Sequence, residues 1–281
     1  MKITTIGCGN AFSKKNFNQS FLLEEGNRKL LVDCGQSIVN ALHYHNIDIK
    51  SITDIYVSHA HADHIGSLES IAFMRYDWVN RPKNYKEGKY APRLIANAQL
   101  LDDLWRKSLS GGLESMEGFV ATLETFFEPI PIKDNQAFSF CGWKCELIQQ
   151  VHIMTGSTIA CTFGLYMSKE GHKSIYFTTD SQHCSPRQME VFYKKSDIII
   201  QDCECTPFMS GVHANYTQLA GYPEANSVRL PEDIKSKMWL SHYQDFVSEG
   251  KDFFGKDCNW NEKAKNDGFA GFVSLGQVFE I

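Results

Sequence analysis

The stretch Ser58-His59-Ala60-His61-Ala62-Asp63-His64-Ile65-Gly66 decides how this chain is read, because four of its nine residues are potential metal ligands. The apolar run Ile52 to Val57 before it predicts a buried strand. After it, Ile65, Leu68, Ile71 and Ala72 recur at helical spacing. The ligands therefore belong to a turn where a strand hands over to a helix. His59 and His61, two apart, point the same way off an extended backbone. Asp63 and His64 follow one turn later and face a second position nearby. Such a set suits a pair of metal ions a few ångströms apart better than a single ion.

Outward from this motif, Ile3 to Ile6, Phe21 to Leu23 and Leu30 to Val32 read as short strands, and Asp33-Cys34-Gly35 ends the third. A helix is expected over Ser37 to Tyr44. Beyond the motif, Leu94 to Ala96 predicts a strand and Gln99 to Leu109 a helix that stops at Gly111-Gly112. Phe126 to Val151 alternates apolar and polar residues, predicting several antiparallel strands that end at His152. Ile159 to Met167 and Ser174 to Thr178, joined by Glu170-Gly171-His172, form another pair ending at Thr179-Asp180. Ser196 to Gln201 ends at Asp202-Cys203-Glu204. Helices over Thr217 to Ala220 and Pro231 to Lys237 precede the strand Met238-Trp239-Leu240, which stops at Ser241-His242. Phe269 to Val273 and Val278 to Ile281 close the chain.

One regularity emerges: His152, Asp180 and His242 each follow an apolar strand, as the opening motif does. The succession of strands, helix and strands, repeated, predicts a single α/β domain over residues 1–281 with two sheets packed face to face and helices outside. Seven ligands then converge. One ion takes His59, His61 and His152, the other takes Asp63, His64 and His242, and Asp180 bridges both. Imidazole and carboxylate donors suit two Zn²⁺ ions, with Mn²⁺, Fe²⁺ or Co²⁺ as alternatives. Two cations sharing a water lower its pKa enough to give hydroxide near neutral pH.

Composition narrows the possibilities. A net charge of −5 gives no general signal for nucleic-acid binding, so no stable nucleic-acid partner is expected. No run reaches the length of a membrane span, and the N-terminus enters a strand-like pattern instead of a signal peptide. Nine scattered cysteines, an odd number, fit reduced thiols and a cytoplasmic location, the host cytoplasm if the chain is viral. Cys203-x-Cys205 and Cys141-x₃-Cys145 lack matching second pairs at zinc-finger spacing. From Arg75 to Arg93, six basic residues face two acidic ones, with Tyr76, Trp78, Tyr85 and Tyr90 interleaved. That segment reads either as a loop gripping phosphate and stacking on a base or as a solvated excursion with anchoring aromatics.

Ser58-His59-x-His61-x-Asp63-His64, with the later His152, Asp180 and His242, resembles the signature of the metallo-β-lactamase fold superfamily. The resemblance implies an αββα sandwich of two mixed sheets, and its ligand pattern agrees with the assignments above. Glu204-Cys205-Thr206 and the downstream His213 resemble motifs of the tRNase Z-like phosphodiesterase branch. A departing alkoxide needs a proton, and a histidine held by a carboxylate supplies one. His213 is thus the expected acid and Glu204 its orienting partner, with Asp202 a rival for that role. Asp63, His213 and Glu204 are the candidate catalytic residues.

The tRNA-processing members of that branch insert a long arm between the third histidine motif and the bridging aspartate. Here only two strands fit between His152 and Asp180. The compact plan resembles the cyclic-nucleotide phosphodiesterases, including phage enzymes that destroy the cyclic pyrimidine signals (cCMP, cUMP) of Pycsar immunity. This resemblance implies a small nucleotide substrate, most readily a 3′,5′-cyclic mononucleotide, and a homodimer; capping the pocket is a candidate role for the Arg75 to Arg93 segment. The alternatives are a tRNase Z-like endoribonuclease, a hydrolase of lactams, lactones or thioesters, and a non-catalytic nucleotide-binding protein on the same fold.

Overall fold

The computed structural model describes residues 1–76, 91–183 and 189–281. Most of the basic and aromatic segment, including Trp78, Arg81, Lys83, Tyr85, Lys86, Lys89 and Tyr90, lies outside the described residues, as does Cys184. Strands β1 (Lys2–Gly7), β2 (Ser20–Glu25), β3 (Arg28–Val32), β4 (Asp54–Tyr56) and β5 (Arg93–Asn97) come first. A small hairpin, β6 (Ser115–Met116) and β7 (Phe119–Val120), precedes β8 (Glu128–Ile132), β9 (Ala137–Phe140), β10 (Trp143–Thr155) and β11 (Thr158–Ser168). Then follow β12 (Ile175–Phe177), β13 (Ile198–Asp202), β14 (Met238–Ser241), β15 (Gly271–Phe272) and β16 (Val278–Glu280). They form two seven-stranded mixed sheets, ordered β16-β1-β2-β3-β4-β5-β8 and β15-β14-β13-β12-β11-β10-β9.

The period-two pattern of the first sheet explains the layering. Phe21, Leu23, Leu30, Val32, Tyr56 and Ile95 face the second sheet and share a core with Phe140, Leu165, Phe177, Ile200 and Leu240. Their neighbours Leu22, Leu31, Ile55, Val57 and Leu94 face the other way and pack on helices through Ile38, Leu42, Leu68, Ile71 and Leu104. The ring of Phe21 lies 5.0 Å from that of Phe177 across the interface between the sheets. Because β3, β4, β5 and β8 run parallel, as do β12 to β15, each sheet presents a row of carboxyl ends. Such edges are where α/β folds place their sites.

Three expectations are corrected. Phe126 to Val151 is not one antiparallel run. Leu123–Phe126 is a helical turn with a Thr122–Thr125 capping box, and β8 pairs parallel to β5 in the first sheet. Pro129 and Pro131 explain its place at the sheet edge, since proline cannot donate to a second neighbour. The helix expected to stop at Gly111-Gly112 runs through both glycines to Leu113, after a π-helical turn over Trp105–Leu109. At Gly112 a β-carbon would crowd the Glu69 carboxylate, so any larger residue there requires that side chain to move. His152, finally, lies within β10 instead of beyond it.

Arg75 and Arg93, the ends of the basic segment, are held by the body of the fold. Arg75 Nη1 donates to the Ile49 carbonyl at 2.7 Å, and Arg93 forms an ion pair with buried Asp54. The eight described cysteines are all free thiols. Among the described residues no helix is long and apolar enough to cross a membrane.

Candidate metal centre

Except for His152, which lies within β10, the sequence-predicted ligands follow strand ends at the common edge, and the local backbone there is unusual. Asp33 after β3, Thr179 after β12 and His242 after β14 have φ values of 61°, 54° and 63°. For a β-branched threonine this is an outlying conformation. Strain of this kind persists only where surrounding structure enforces it. Here it turns the chain sharply at three of the strand ends that carry the site. At His152 the device differs: strand alternation leaves Val151 exposed and buries His152, and the β10–β11 register shifts between Val151 and Ile153, a bulge at the ligand itself. Bulges re-aim side chains.

Two groups of potential ligands result. His59, His61, His152 and Asp180 each bring one ligand atom within 4.8 Å of the others, and so do Asp63, His64, Asp180 and His242. Asp180 belongs to both. Its Oδ1 lies 3.1 Å from His64 Nε2 and 3.3 Å from His242 Nε2, while its Oδ2 lies 3.8 Å from His59 Nε2 and 3.9 Å from His152 Nε2. His61 Nδ1 is 3.2 Å from His152 Nε2, and His242 Nε2 is 3.2 Å from Asp63 Oδ2. Of the seven, only His61 is exposed, so the first group faces solvent.

The donor set fits divalent metal. His59 Nε2, His64 Nε2 and Asp180 Oδ1 are buried with no hydrogen-bond partner among the described residues. Buried polar atoms are normally satisfied, so lone pairs converging without partners mark a cation's place. The charges around these groups act in different directions. Burial, together with the neighbouring His64 charge, holds His59 well below the usual imidazole range, and burial also lowers His61 and His152. For His64 and His242 burial works the other way from the result. Asp180, with Asp33 beside His64 and with Asp202 and Asp63 beside His242, raises both well above their ordinary values. Burial opposes ionisation of Asp63 and Asp180, but His242 and His64 outweigh it and keep both carboxylates ionised.

Sequence reasoning missed the residues that hold the ligands. Asp33, 1% exposed, accepts from His64 Nδ1, Ser58 N and Ser58 Oγ, each at 2.8 Å. Ser58 Oγ also lies 3.1 Å from His59 Nδ1, and His152 Nδ1 donates to the Val212 carbonyl at 2.8 Å. These contacts fix which ring nitrogen faces the centre. The signal was present: Asp33 also follows an apolar strand.

Gly35 lets the segment after Asp33 lie against the ligand turn. Cys34 N donates to His64 O at 2.8 Å, and a β-carbon on Gly35 would sit 1.9 Å from the Asp63 carbonyl oxygen. Gly35→Ala is expected to cost about 1–3 kcal/mol of stability through overpacking and to weaken metal retention. Chemical denaturation and metal analysis of the purified variant check both. A wild-type denaturation midpoint would show that the close approach is not needed.

The carboxylate that meets His213 is Asp202, not Glu204. His213 Nδ1 donates to Asp202 Oδ2 at 2.8 Å. Asp202, fully buried, also accepts from Ser181 N at 2.8 Å and lies 3.3 Å from His242 Nδ1. Glu204 Oε2 instead accepts from Ser210 N at 3.0 Å, pinning the loop that carries His213. The Glu204 backbone pairs across a bridge with Asn215, one residue past Ala214. Burial would lower His213, but Asp202 outweighs it and raises the imidazole above its ordinary range. Asp180, Asp202, His213 and His242 also cluster closely enough to bind metal. However, the His213 atom near Asp180 is the Nδ1 already bonded to Asp202.

Two packed mixed sheets with helices outside, and this histidine and aspartate set at their shared edge, define a protein of the metallo-β-lactamase fold. The metallo-β-lactamase fold protein YhfI from Bacillus subtilis superposes with a TM-score of 0.69 at 18% identity, covering 100% of this chain and 98% of that one. The family model for the anti-Pycsar protein Apyc1 matches residues 1–279, and the chain belongs to that family. It is 28% identical over 264 residues to an anti-Pycsar protein Apyc1 of Bacillus phage vB_BveM-Goe7, covering 91% of this chain and 92% of the relative. Another, from Paenibacillus harenae, is 29% identical over 250 residues, covering 89% and 92%. Family, fold and ligand groups together support a metal-dependent hydrolase.

Proposed function

We propose that this protein is a dinuclear metal-dependent phosphodiesterase that opens 3′,5′-cyclic mononucleotides, cCMP and cUMP among them. The observation that carries the reading is Asp180 shared between two ligand groups, with the His213–Asp202 pair beside it. The membership in a family named for opposing Pycsar supports the substrate class. His59, His61 and His152 would hold one ion, Asp63, His64 and His242 the other, and Asp180 both. When bound, two divalent ions, zinc by donor type, supply an acidified water and offset charge on the phosphoryl oxygens.

The remaining chemistry falls to the chain. With Nδ1 held by Asp202, His213 has Nε2 available to protonate the departing ribose oxygen. Asp202 keeps the imidazole protonated and oriented, and Glu204 fixes the loop. Asp202→Asn is expected to lower kcat on cyclic nucleotides on the order of 100-fold with metal content retained, and Glu204→Gln to cost less than about tenfold. Steady-state kinetics with metal analysis would reverse these roles if Glu204→Gln proved the more damaging change.

Between His152 and Asp180 lie only the β10–β11 hairpin, a short loop and β12. That compact connection favours a small diester over a structured RNA. The protein is proposed to act as a single domain over residues 1–281 and as a homodimer, which light scattering measures. A panel of cyclic mononucleotides, cyclic dinucleotides, bis(p-nitrophenyl) phosphate and pre-tRNA tests the substrate. Preferential turnover of cyclic mononucleotides is expected. Cleavage of pre-tRNA alone would establish the endoribonuclease, and stoichiometric capture without product the binding protein.

A further inference from the structure

A cavity of about 630 Å³ opens on the flank of the metal centre. Its lining joins the ligands through single hydrogen bonds. Gln182, two residues after Asp180, donates from its backbone to the Val151 carbonyl at 3.0 Å and from Nε2 to the His152 carbonyl at 2.9 Å. Phe163 lines the cavity and donates from its backbone to the Ser58 carbonyl at 3.1 Å, one residue before His59. Asn97 ends β5 and Lys133 follows β8, so the cavity lies along the same carboxyl edge that delivers His59. The cavity thus adjoins the backbone that carries His59 and His152.

The lining has a particular chemistry. Six side-chain amides contribute: Asn97, Asn135, Gln136, Gln149, Gln150 and Gln182. Phe163, Phe192 and Val191 supply apolar wall. Among the described residues that line it, the formal charges of Lys133 and Asp134 cancel. A second phosphate would call for unpaired cations. A flat, uncharged ring with polar edges fits instead, since side-chain amides carry both donor and acceptor groups. Those of Asn97, Gln150 and Gln182 are anchored to Gln99 N and Asp134, to the Thr178 carbonyl, and to the His152 and Gly211 carbonyls, which fixes the wall they form. The volume falls in the range of small-molecule sites.

We infer that this cavity is the nucleobase subsite: its polar lining meets the base edge while Phe163, Phe192 and Val191 cover its faces, and the cyclic phosphate lies at the metal centre. The inference rests on the cyclic-nucleotide reading of that centre. Val191, 44% exposed on the cavity wall, allows a test that spares the ligands. Val191→Trp places an indole in the cavity. It is expected to raise KM for 3′,5′-cyclic nucleotides about tenfold or more while kcat stays within about twofold. Turnover of methyl 4-nitrophenyl phosphate, which has no base, should be unchanged and reports correct folding. Should both activities be lost, Gln149→Leu on exposed β10 is read by the same ratio. Unchanged KM in a variant that retains the base-free activity overturns the subsite and leaves the cyclic-nucleotide reading standing. A wild-type enzyme that cleaves methyl 4-nitrophenyl phosphate but no cyclic nucleotide overturns that reading, and the subsite with it.

Discussion

Asp180→Ala is expected to abolish retention of both metal ions and to lower phosphodiesterase turnover by about a thousandfold or more. The size of the effect follows from position. Asp180 is 1% exposed, and its two oxygens face different ligand groups. Every other ligand serves one group, so its loss leaves the second group whole. Removing Asp180 also strips the anion that most raises His64 and His242, leaving Asp33 beside the one and Asp63 and Asp202 beside the other. Metal analysis after gel filtration, beside His61→Ala as a single-group control, separates the cases. Asp180→Ala should carry almost no metal and His61→Ala an intermediate amount. Full occupancy in Asp180→Ala would overturn the shared-carboxylate map.

His213→Ala is expected to leave metal content near wild type while kcat on cyclic nucleotides falls by about 10²–10⁴. No sequence-predicted ligand pairs with its imidazole at hydrogen-bond length; its partner is Asp202 at 2.8 Å. The loss should depend on the leaving group. A ribose alkoxide needs a proton to depart, whereas 4-nitrophenolate does not, so bis(p-nitrophenyl) phosphate should lose less than about tenfold. Equal losses on both substrates, with metal depleted, would make His213 a ligand instead. The cluster with Asp180, Asp202 and His242 makes that outcome readable in the same experiment.

Much of the fold was legible because its strands alternate cleanly. Phe21 and Leu23 turn to the partner sheet while Leu22 turns to the helices. The single-parity code failed where other constraints prevailed. β8 reads like part of the antiparallel run, but two prolines and parallel pairing to β5 place it in the other sheet. The seven-residue ligand set was legible because a carboxylate or imidazole just past an apolar strand is expensive unless it is used. The structure brings all seven together.

What the sequence concealed were partners, not positions. Asp33 obeys the same strand-end pattern as Asp180, yet it is sequence-distant from the His64 it orients. Asp202 and Glu204 are two apart, yet His213 meets Asp202 while Glu204 accepts from Ser210 N. No local pattern encodes that choice. The amide-lined cavity is equally hidden, since its walls come from β5, the loop after β8, β10 and the segment after Asp180.

Phosphorus NMR of a cyclic pyrimidine nucleotide incubated with the metal-loaded protein tests the central claim most directly. The cyclic diester resonance should give way to a single nucleoside monophosphate resonance, and chelation of the metal should stop the conversion. An unchanged diester resonance in protein shown to carry two metal ions per chain would contradict the account.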